Sequence, residues 1–206
     1  MYHFFTKTHY LEDEVMIPFN EAMCYGNTSD DLFSDNFNEI RAKVHHVTLE
    51  QYAEITLNPL KPLFEFNFNR LILWFDDDMF CQINVLTILA WLDRKEYRGE
   101  AILKIVGNKF QLVESFNIER KGYYEIYKQV MLRKQTTKDI YPGHLKRGIK
   151  LYLSYQNEES DLMLFIKKHK DVPTRELVQL LISNFKHYGF GDTQYVEIIN
   201  SCRNRL

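Results

Sequence analysis

The longest apolar pattern in the chain lies near its middle, at residues 71–92. Residues 71–75 are apolar without polar alternation, which predicts a strand buried on both faces, as in a parallel sheet layered by helices. After three consecutive aspartates, residues 79–92 repeat apolar side chains at helical spacing. The pattern therefore predicts a buried strand, a carboxylate-rich turn and a mostly buried helix in the middle of a sheet.

The segments before this unit are shorter and more polar. Two short strands are predicted at 2–5 and 15–17, and Pro18 stops the second. A helix is predicted at 36–45. Another helix opens at Thr48, where Thr-Leu-Glu-Gln has the spacing of a capping box. We expect these helices to cover a face of the sheet.

The segments after the unit change from strand to helix. Residues 101–106 are typical of a strand, and 110–113 pair back across a Gly-Asn turn. The remainder has helical periodicity and breaks at 136–142. Helices are predicted in the segments 145–155, 161–169, 173–188 and 192–200. We expect an α/β, three-layer, Rossmann-like domain with a short, mostly parallel sheet in residues 1–140, and a helical subdomain in residues 141–206.

Composition and charge narrow the class of protein. Of 206 residues, 45% are hydrophobic and 15% aromatic, which favours a folded globular chain. The net charge of −2 gives no bulk signal for nucleic acid or membrane. Lys and Arg number 16 against 21 Asp and Glu in residues 1–141, and 10 against 7 in residues 142–206. The charge therefore changes sign where the pattern also changes.

The cysteines and the N-terminal segment indicate the compartment. The three cysteines have no CxxC spacing, which argues against a disulfide framework or a zinc site. Charged residues interrupt residues 1–14, and no segment approaches the roughly 20 apolar residues of a membrane span. We expect a cytoplasmic protein of bacterial type with no membrane association. A homodimer is an open alternative to a monomer.

The triplet Asp76, Asp77 and Asp78 is the first candidate for chemistry. In parallel α/β sheets ligands bind outside the carboxyl ends of strands, where this triplet is expected. Such carboxylates suit a divalent metal, an amine or a general base. The alternative is helix capping, for which one aspartate is enough. In either case three carboxylates repel an anion, so this turn is not an ordinary phosphate cradle.

A second polar pair, Asn20 and Glu21, follows the predicted strand 15–17. If that strand lies parallel and adjacent to 71–75, this pair converges on the aspartates, and Gln82 joins them from the first turn of the helix. The alternative is that Asn20 caps a turn and Glu21 points to water. The candidate ligand-binding set is Asn20, Glu21, Asp76, Asp77, Asp78 and Gln82, with no catalytic residue and no metal ligand assigned. The chain contains no GxSxG, GxxxxGK[ST] or HExxH motif, and the cofactor, if one is used, is unknown from the sequence.

The helical tail suggests a different class of function. The predicted helix 173–188 carries Arg175, Gln179 and Lys186, and Arg and Gln can read bases in a major groove. A small helical packing domain is the alternative, since the tail carries only a small positive charge. Nucleic acid is thus a second candidate partner, beside a small molecule.

Three stretches carry a resemblance to a known family. IPFNEAM, LILWFDDDMFCQINVLTILAWL and YGFGDTQ together resemble the bacterial domain of unknown function 1835 family. Its members typically show an apolar strand, a tryptophan-acidic turn, a helix with a leading Gln and a late Gly-Asp-Thr/Leu-Gln motif. Gln82 and the run Asp192-Thr193-Gln194 match that pattern. Where many relatives begin with a strand, a Gly-Asp-Ser loop and a full helix, this chain has only MYHFFTKTHYLEDE.

The resemblance implies a fold and no established activity, although some relatives are described as transcriptional regulators. Three functional hypotheses follow from the sequence. The first is a small-molecule-binding or regulatory α/β domain with its pocket at the strand carboxyl ends. The second is a DNA-binding regulator that uses the C-terminal helices, and the third is a metal-assisted hydrolase.

Overall fold

A small mixed sheet and a larger set of helices make up the fold. The computed structural model describes residues 1–11, 13–65, 67–119 and 121–205. The strands are β1 (Arg70–Asp76), β2 (Glu100–Val106) and β3 (Leu112–Asn117). The helices in these ranges are α1 (Tyr2–Thr8), α2 (Asp35–Val44), α3 (Leu49–Tyr52), α4 (Lys61–Phe64), α5 (Met79–Arg94), α6 (Tyr123–Tyr127), α7 (Gly143–Tyr155), α8 (Asp161–Lys168), α9 (Thr174–Asn184) and α10 (Asp192–Arg203). The α/β class is therefore confirmed.

The three strands lie in the order β1-β2-β3. β1 runs parallel to β2, with Leu73 opposite Leu103 and Asp76 opposite Val106. β2 pairs with β3 in antiparallel fashion, as expected for a chain that turns back at Gly107. The sheet is thus mixed, where the sequence predicted a mostly parallel one.

The position of β1 differs from the prediction. β1 is an edge strand, and of its residues Leu73 is buried while the others are partly buried or exposed. One face of β1 packs on α5, and the other face carries Trp74, whose ring lies 5.1 Å from the Phe5 ring of α1. The prediction of a central strand buried on both faces is wrong, because β2 holds the central place and α1 is short.

The two short N-terminal strands are also wrong. Residues 2–5 lie in α1, where Thr6 Oγ1 and Thr8 Oγ1 donate to carbonyls four residues earlier, as in a helix. Residues 15–17 have irregular backbone and no strand partner within the described ranges, and Val15 is 79% exposed. A three-residue apolar run without a partner strand has no ladder to stabilise it.

Helix α5 forms as its pattern predicts. Asp78 is its N-cap, and the Asp78 carboxylate accepts from the Cys81 amide at 2.7 Å. Each polar residue within the apolar arc has a partner, because buried polar groups need one. Gln82 donates to the carbonyl of Asp76, Asn84 to that of Glu21, and Thr87 to that of Ile83.

The other helices follow local signals. The capping box of Thr48 and Gln51 is present, and α3 continues as a π-helical turn over Ala53–Leu57. Helix α7 packs along α5, and buried residues from Met23 to Cys202 form one hydrophobic cluster. The helices after residue 141 therefore share the core of the sheet, and the boundary at residue 140 stays a prediction. Among the described residues, no helix combines the length and apolarity that a membrane crossing needs.

Candidate functional site

An open polar groove of about 500 Å³ lies at the carboxyl ends of β1 and β2. Its walls come from the turn after β1, the turn after β2, helix α7, and the end of α9 with the segment that follows it. The lining residues are Asp76, Asp77, Asp78, Gly107, Asn108, Arg147, Ser183, Asn184, Lys186 and His187. The groove is thus acidic on the β1 side, and the helices after residue 141 contribute basic side chains.

The parallel pairing of β1 and β2 explains why these turns meet. Asp76 ends β1 opposite Val106, which ends β2, so Gly107 and Asn108 emerge at the same edge of the sheet. Carboxyl ends of parallel strands are where α/β proteins place ligands. The predicted position of the aspartate triplet, at a strand end that borders a groove, is correct.

Asp77 is the aspartate with basic partners. Its Oδ1 lies 2.6 Å from His144 Nδ1, and its Oδ2 accepts from Arg147. His144 also approaches Glu114 of β3, with 3.4 Å between His144 Nε2 and Glu114 Oε2. His144 and Arg147 lie one turn apart on α7 and therefore reach the same carboxylate. This ion-pair cluster ties the β1–α5 turn to α7.

Asp78 has a structural duty as the N-cap of α5. A cap of this kind stabilises a helix by about 1 kcal/mol, which confirms the expectation that one of the three aspartates caps α5. Gly189 packs directly on the Asp78 carboxylate, at a backbone φ of +71°. A side chain at position 189 would overlap that carboxylate, so glycine lets the segment after α9 approach the turn.

Asp76 and Asp78 are the two members of the triplet that form no ion pair with a basic side chain within the described ranges. Burial raises the pKa of Asp76 and the Asp78 charge raises it further, against the charge of the N-terminal ammonium group, which lowers it. Burial also raises the pKa of Asp78, against the hydrogen bond from Cys81. Two such carboxylates are favourable places for a positive group of a ligand.

The basic wall of the groove has a different character. Lys186 is exposed, and no carboxylate of the described residues pairs with it. Burial, followed by the Arg147 charge, lowers the pKa of His187, so its imidazole is neutral at pH 7. Lys186 therefore supplies the free positive charge of this wall, and His187 supplies a neutral hydrogen-bonding group.

Asn20 does not line the groove. Its Nδ2 donates to the Ile55 carbonyl at 2.9 Å, and its own carbonyl accepts from Thr56 at 2.9 Å. The predicted convergence of Asn20 and Glu21 on the aspartates is wrong, because the strand at 15–17 on which it depended does not form. Asn20 instead fixes the N-terminal segment to the π-helical turn after α3.

Glu21 is turned inward and is only 4% exposed. Its Oε1 accepts from Arg41 at 2.8 Å and lies 2.6 Å from His45 Nε2, while its Oε2 accepts from the Tyr52 hydroxyl at 2.6 Å. Burial by itself raises the pKa of Glu21, but the His45 hydrogen bond and the Arg41 charge outweigh it and lower the pKa to about 2. The alternative that Glu21 points to water is also wrong.

This buried cluster has a clear structural role. Arg41 is fully buried and donates to the carbonyls of Ala22, Tyr25 and Asn27, so it holds the loop after Glu21 in place. Both terminal nitrogens of Arg41 are hydrogen-bonded, while its Nε has no partner among the described residues. A buried ion pair held by several hydrogen bonds favours one conformation of the chain around it. The IPFNEAM stretch is therefore a scaffold segment in this structure.

Gln82 lies beneath the groove. Its side chain is fully buried, and its Nε2 donates to the main-chain carbonyl of Asp76 at 2.8 Å. Gly148 of α7 packs against the Gln82 side chain, where a larger residue would collide. The predicted proximity of Gln82 to the aspartates is therefore correct, although Gln82 is absent from the groove lining.

Seven of the lining residues, and His144 behind them, were not among the predicted site residues. His144 and Arg147 belong to α7, and Lys186 and His187 belong to a 3₁₀ turn after α9. His144 contacts Asp77 without lining the groove, so its role is to hold an aspartate that does. No local motif marks any of them. Gly107 and Asn108 had a usable signal, since they directly follow the predicted strand 101–106.

The surface of α9 bears on the nucleic-acid hypothesis. Arg175 and Gln179 are exposed, as base-reading side chains must be. Arg203 of α10 donates to Thr174 at 2.8 Å, so the start of α9 is tied to α10. Exposure alone does not distinguish a DNA contact from a solvated helix face, and DNA binding stays a prediction.

Comparisons with known proteins add no further constraint. No family model, no curated protein and no solved structure matches the chain. The resemblance to the domain of unknown function 1835 family therefore stays a prediction, based on the three stretches quoted above.

Proposed function

We propose that this protein binds a small dipolar molecule in the groove at the carboxyl ends of β1 and β2. The positive part of the ligand lies at Asp76 and Asp78, and the negative part lies at Lys186. The observation that carries the proposal is the meeting of two unpaired carboxylates and an unpaired ammonium group across one groove of about 500 Å³. A volume of this size suits a small molecule.

The charge arrangement selects the ligand class. A simple anion is attracted by Lys186 but repelled by the aspartates, and a simple cation is attracted by the aspartates but repelled by Lys186, so each of them binds weakly. A ligand with both charges gains from each wall, and it replaces the water that solvates them. Asp77 is already paired with Arg147 and in contact with His144, so it serves to shape the groove. The neutral His187 ring and the side chains of Ser183 and Asn184 offer hydrogen bonds that fix orientation.

The wider organisation belongs to the same proposal. Helix α1 against the Trp74 face acts as a third layer, in a Rossmann-like manner. The helices after residue 141 act as a subdomain that forms one side of the groove. Ligand binding in the groove changes the position of these helices, which gives the protein a regulatory role. The protein works in the cytoplasm and does not need a membrane. DNA binding by α9, metal-assisted hydrolysis and homodimer formation are the remaining hypotheses, and Arg175→Ala in a low-salt duplex-binding assay tests the first of these.

The two halves of the groove can be tested separately by NMR titration of the full chain. Methylammonium is the probe for the acidic wall, and inorganic phosphate is the probe for the basic wall. We expect methylammonium to shift the amides of the β1–α5 turn, and Asp76→Asn to abolish that response. We expect phosphate to shift amides near Lys186, and Lys186→Ala to abolish that response. The proposal is wrong if neither probe perturbs groove amides, or if the variants respond as the wild type does.

A further inference from the structure

The two unpaired aspartates of the groove lie beside a thiol. One carboxylate oxygen each of Asp76 and Asp78 and the sulfur of Cys81 lie within 4.8 Å of one another. Asp76 ends β1, Asp78 caps α5, and Cys81 is one helical turn further on. The strand end and the first helical turn thus bring two oxygen ligands and one sulfur ligand to the same point. All three side chains are partly buried, and Asp76 and Asp78 line the groove.

An independent observation at the same place concerns Gln82. This side chain is 0% exposed, and its Nε2 is committed to the carbonyl of Asp76 at 2.8 Å. Its Oε1, on the same planar amide, is buried and has no hydrogen-bond partner among the described residues. A buried polar atom without a partner costs about 1–3 kcal/mol. A positive ion beside Asp76, or a water held by that ion, removes this cost.

We propose that Asp76, Asp78 and Cys81 bind a divalent metal ion of the Zn²⁺ type at the floor of the groove. Carboxylate oxygen and thiolate sulfur are both zinc ligands, at about 2.0–2.3 Å. Tetrahedral ligand atoms at those lengths lie roughly 3.3–3.8 Å apart. Side-chain rotations that move the ligand atoms by about 1 Å therefore bring them to bonding distance of one ion. The Gln82 amide, held at the main-chain carbonyl of Asp76, lies next to these ligands. As the metal–sulfur bond forms, the thiol proton leaves Cys81 for solvent.

This inference deepens the proposed function and rests on it for the ligand. In the metal-loaded protein the ion takes the place that the ammonium of a dipolar ligand occupies in the metal-free protein, and it gives Cys81 a role that an organic amine does not give it. The metal neutralises the repulsion between Asp76 and Asp78. It also converts the acidic wall into an anion-accepting one. A phosphate or carboxylate group then bridges the metal and Lys186.

The test uses Co²⁺ as the probe, with the reduced, metal-free full chain. A thiolate bound to Co²⁺ gives a charge-transfer band in the near ultraviolet, and tetrahedral Co²⁺ absorbs strongly in the visible. We expect both bands at one equivalent and their displacement by Zn²⁺. Cys81→Ser removes the charge-transfer band, whereas the matched controls Cys24→Ala and Cys202→Ala keep it. Asp76→Asn weakens Co²⁺ binding by at least about tenfold, and Asp77→Asn changes it by less than about twofold.

Two further measurements make the outcome unambiguous. If Cys81→Ser does not fold, Asp78→Asn replaces it, because asparagine keeps the helix cap but removes the charge. Absence of the charge-transfer band in the wild type, or its persistence in Cys81→Ser, overturns the metal site. The methylammonium and phosphate responses do not depend on Cys81, so they distinguish failure of this inference from failure of the proposed function.

Discussion

The Nδ1 atom of His144 lies 2.6 Å from an oxygen of Asp77 and joins helix α7 to the turn between β1 and α5. Arg147 completes the cluster on the second oxygen of Asp77. Asp77, the central aspartate of the triplet, therefore has a structural role, and its neighbours Asp76 and Asp78 remain available to a ligand.

The Asp77 cluster predicts a modest loss of stability on substitution. Asp77 is 30% exposed, so solvent screens its ion pairs, and relief of repulsion with Asp78 offsets part of the loss. We expect Asp77→Asn to lower the free energy of unfolding by about 0.5–1 kcal/mol. Urea denaturation at pH 7 measures this. The matched control is Glu14→Gln, which breaks the exposed pair with Arg70 and should cost less. Equal losses in the two variants contradict the proposed role of Asp77.

The Glu21 cluster predicts a much larger loss. Glu21→Gln leaves the fully buried Arg41 without its counter-charge, and breaking a buried ion pair costs about 3–5 kcal/mol. We expect the denaturation midpoint to fall accordingly. Glu197→Gln, which removes only a surface contact of 3.8 Å with His46, serves as the control and should change stability little. A similar, small effect for both substitutions argues against the scaffold role of Glu21.

The same residue predicts a pH dependence. The pKa of Glu21 is about 2 in the folded protein, below its ordinary value of 4.5. The folded state therefore binds the proton less tightly than the unfolded state does. The stabilisation from Glu21 is fully present above pH 4.5 and is lost as the pH falls through about 2. Denaturation between pH 2 and 6 should show a component that is missing in Glu21→Gln, and identical pH profiles would contradict it.

The contribution of Asp76 to stability depends on pH in the direction opposite to that of Glu21. Burial and the Asp78 charge raise its folded-state pKa, so its contribution is most favourable below the unfolded pKa and is lost as the pH rises through the folded value. We expect Asp76→Asn to raise the free energy of unfolding at pH 7 by a small amount, because solvent screens part of the repulsion. The measurement is made with a metal chelator present. Destabilisation under those conditions would show that Asp76 has an unrecognised partner.

Local patterns were enough for the elements whose stability is local. Helix α5 follows from its apolar periodicity and its Asp78 cap, and α3 follows from the capping box at Thr48. The strand at 15–17 failed because a strand needs a partner, and a partner is not encoded in three residues. The edge position of β1 was missed for the same reason, since strand order is a property of the whole sheet.

The residues of the candidate site also fall into those that a local sequence pattern indicates and those that only tertiary packing brings to the site. Asp76, Asp77 and Asp78 were found because a strand end followed by a helix is visible in the sequence. Arg147 and Lys186 follow in the sequence about 70 and 110 residues later, and only the packing of α7 and α9 brings them to the groove. Glu21 was misjudged because its inward turn depends on Arg41, His45 and Tyr52, which are brought together by tertiary packing.

The most direct test of the groove is an NMR titration of the full chain with phosphoethanolamine, which carries an ammonium and a phosphate on one short molecule. We predict that amides of the β1–α5 turn and of the segment near Lys186 shift together with a single affinity. That affinity should exceed those of methylammonium and phosphate, and it should fall in both Asp76→Asn and Lys186→Ala. Shifts elsewhere on the protein, no shifts at all, or an unchanged affinity in the two variants would contradict binding of a dipolar ligand in this groove.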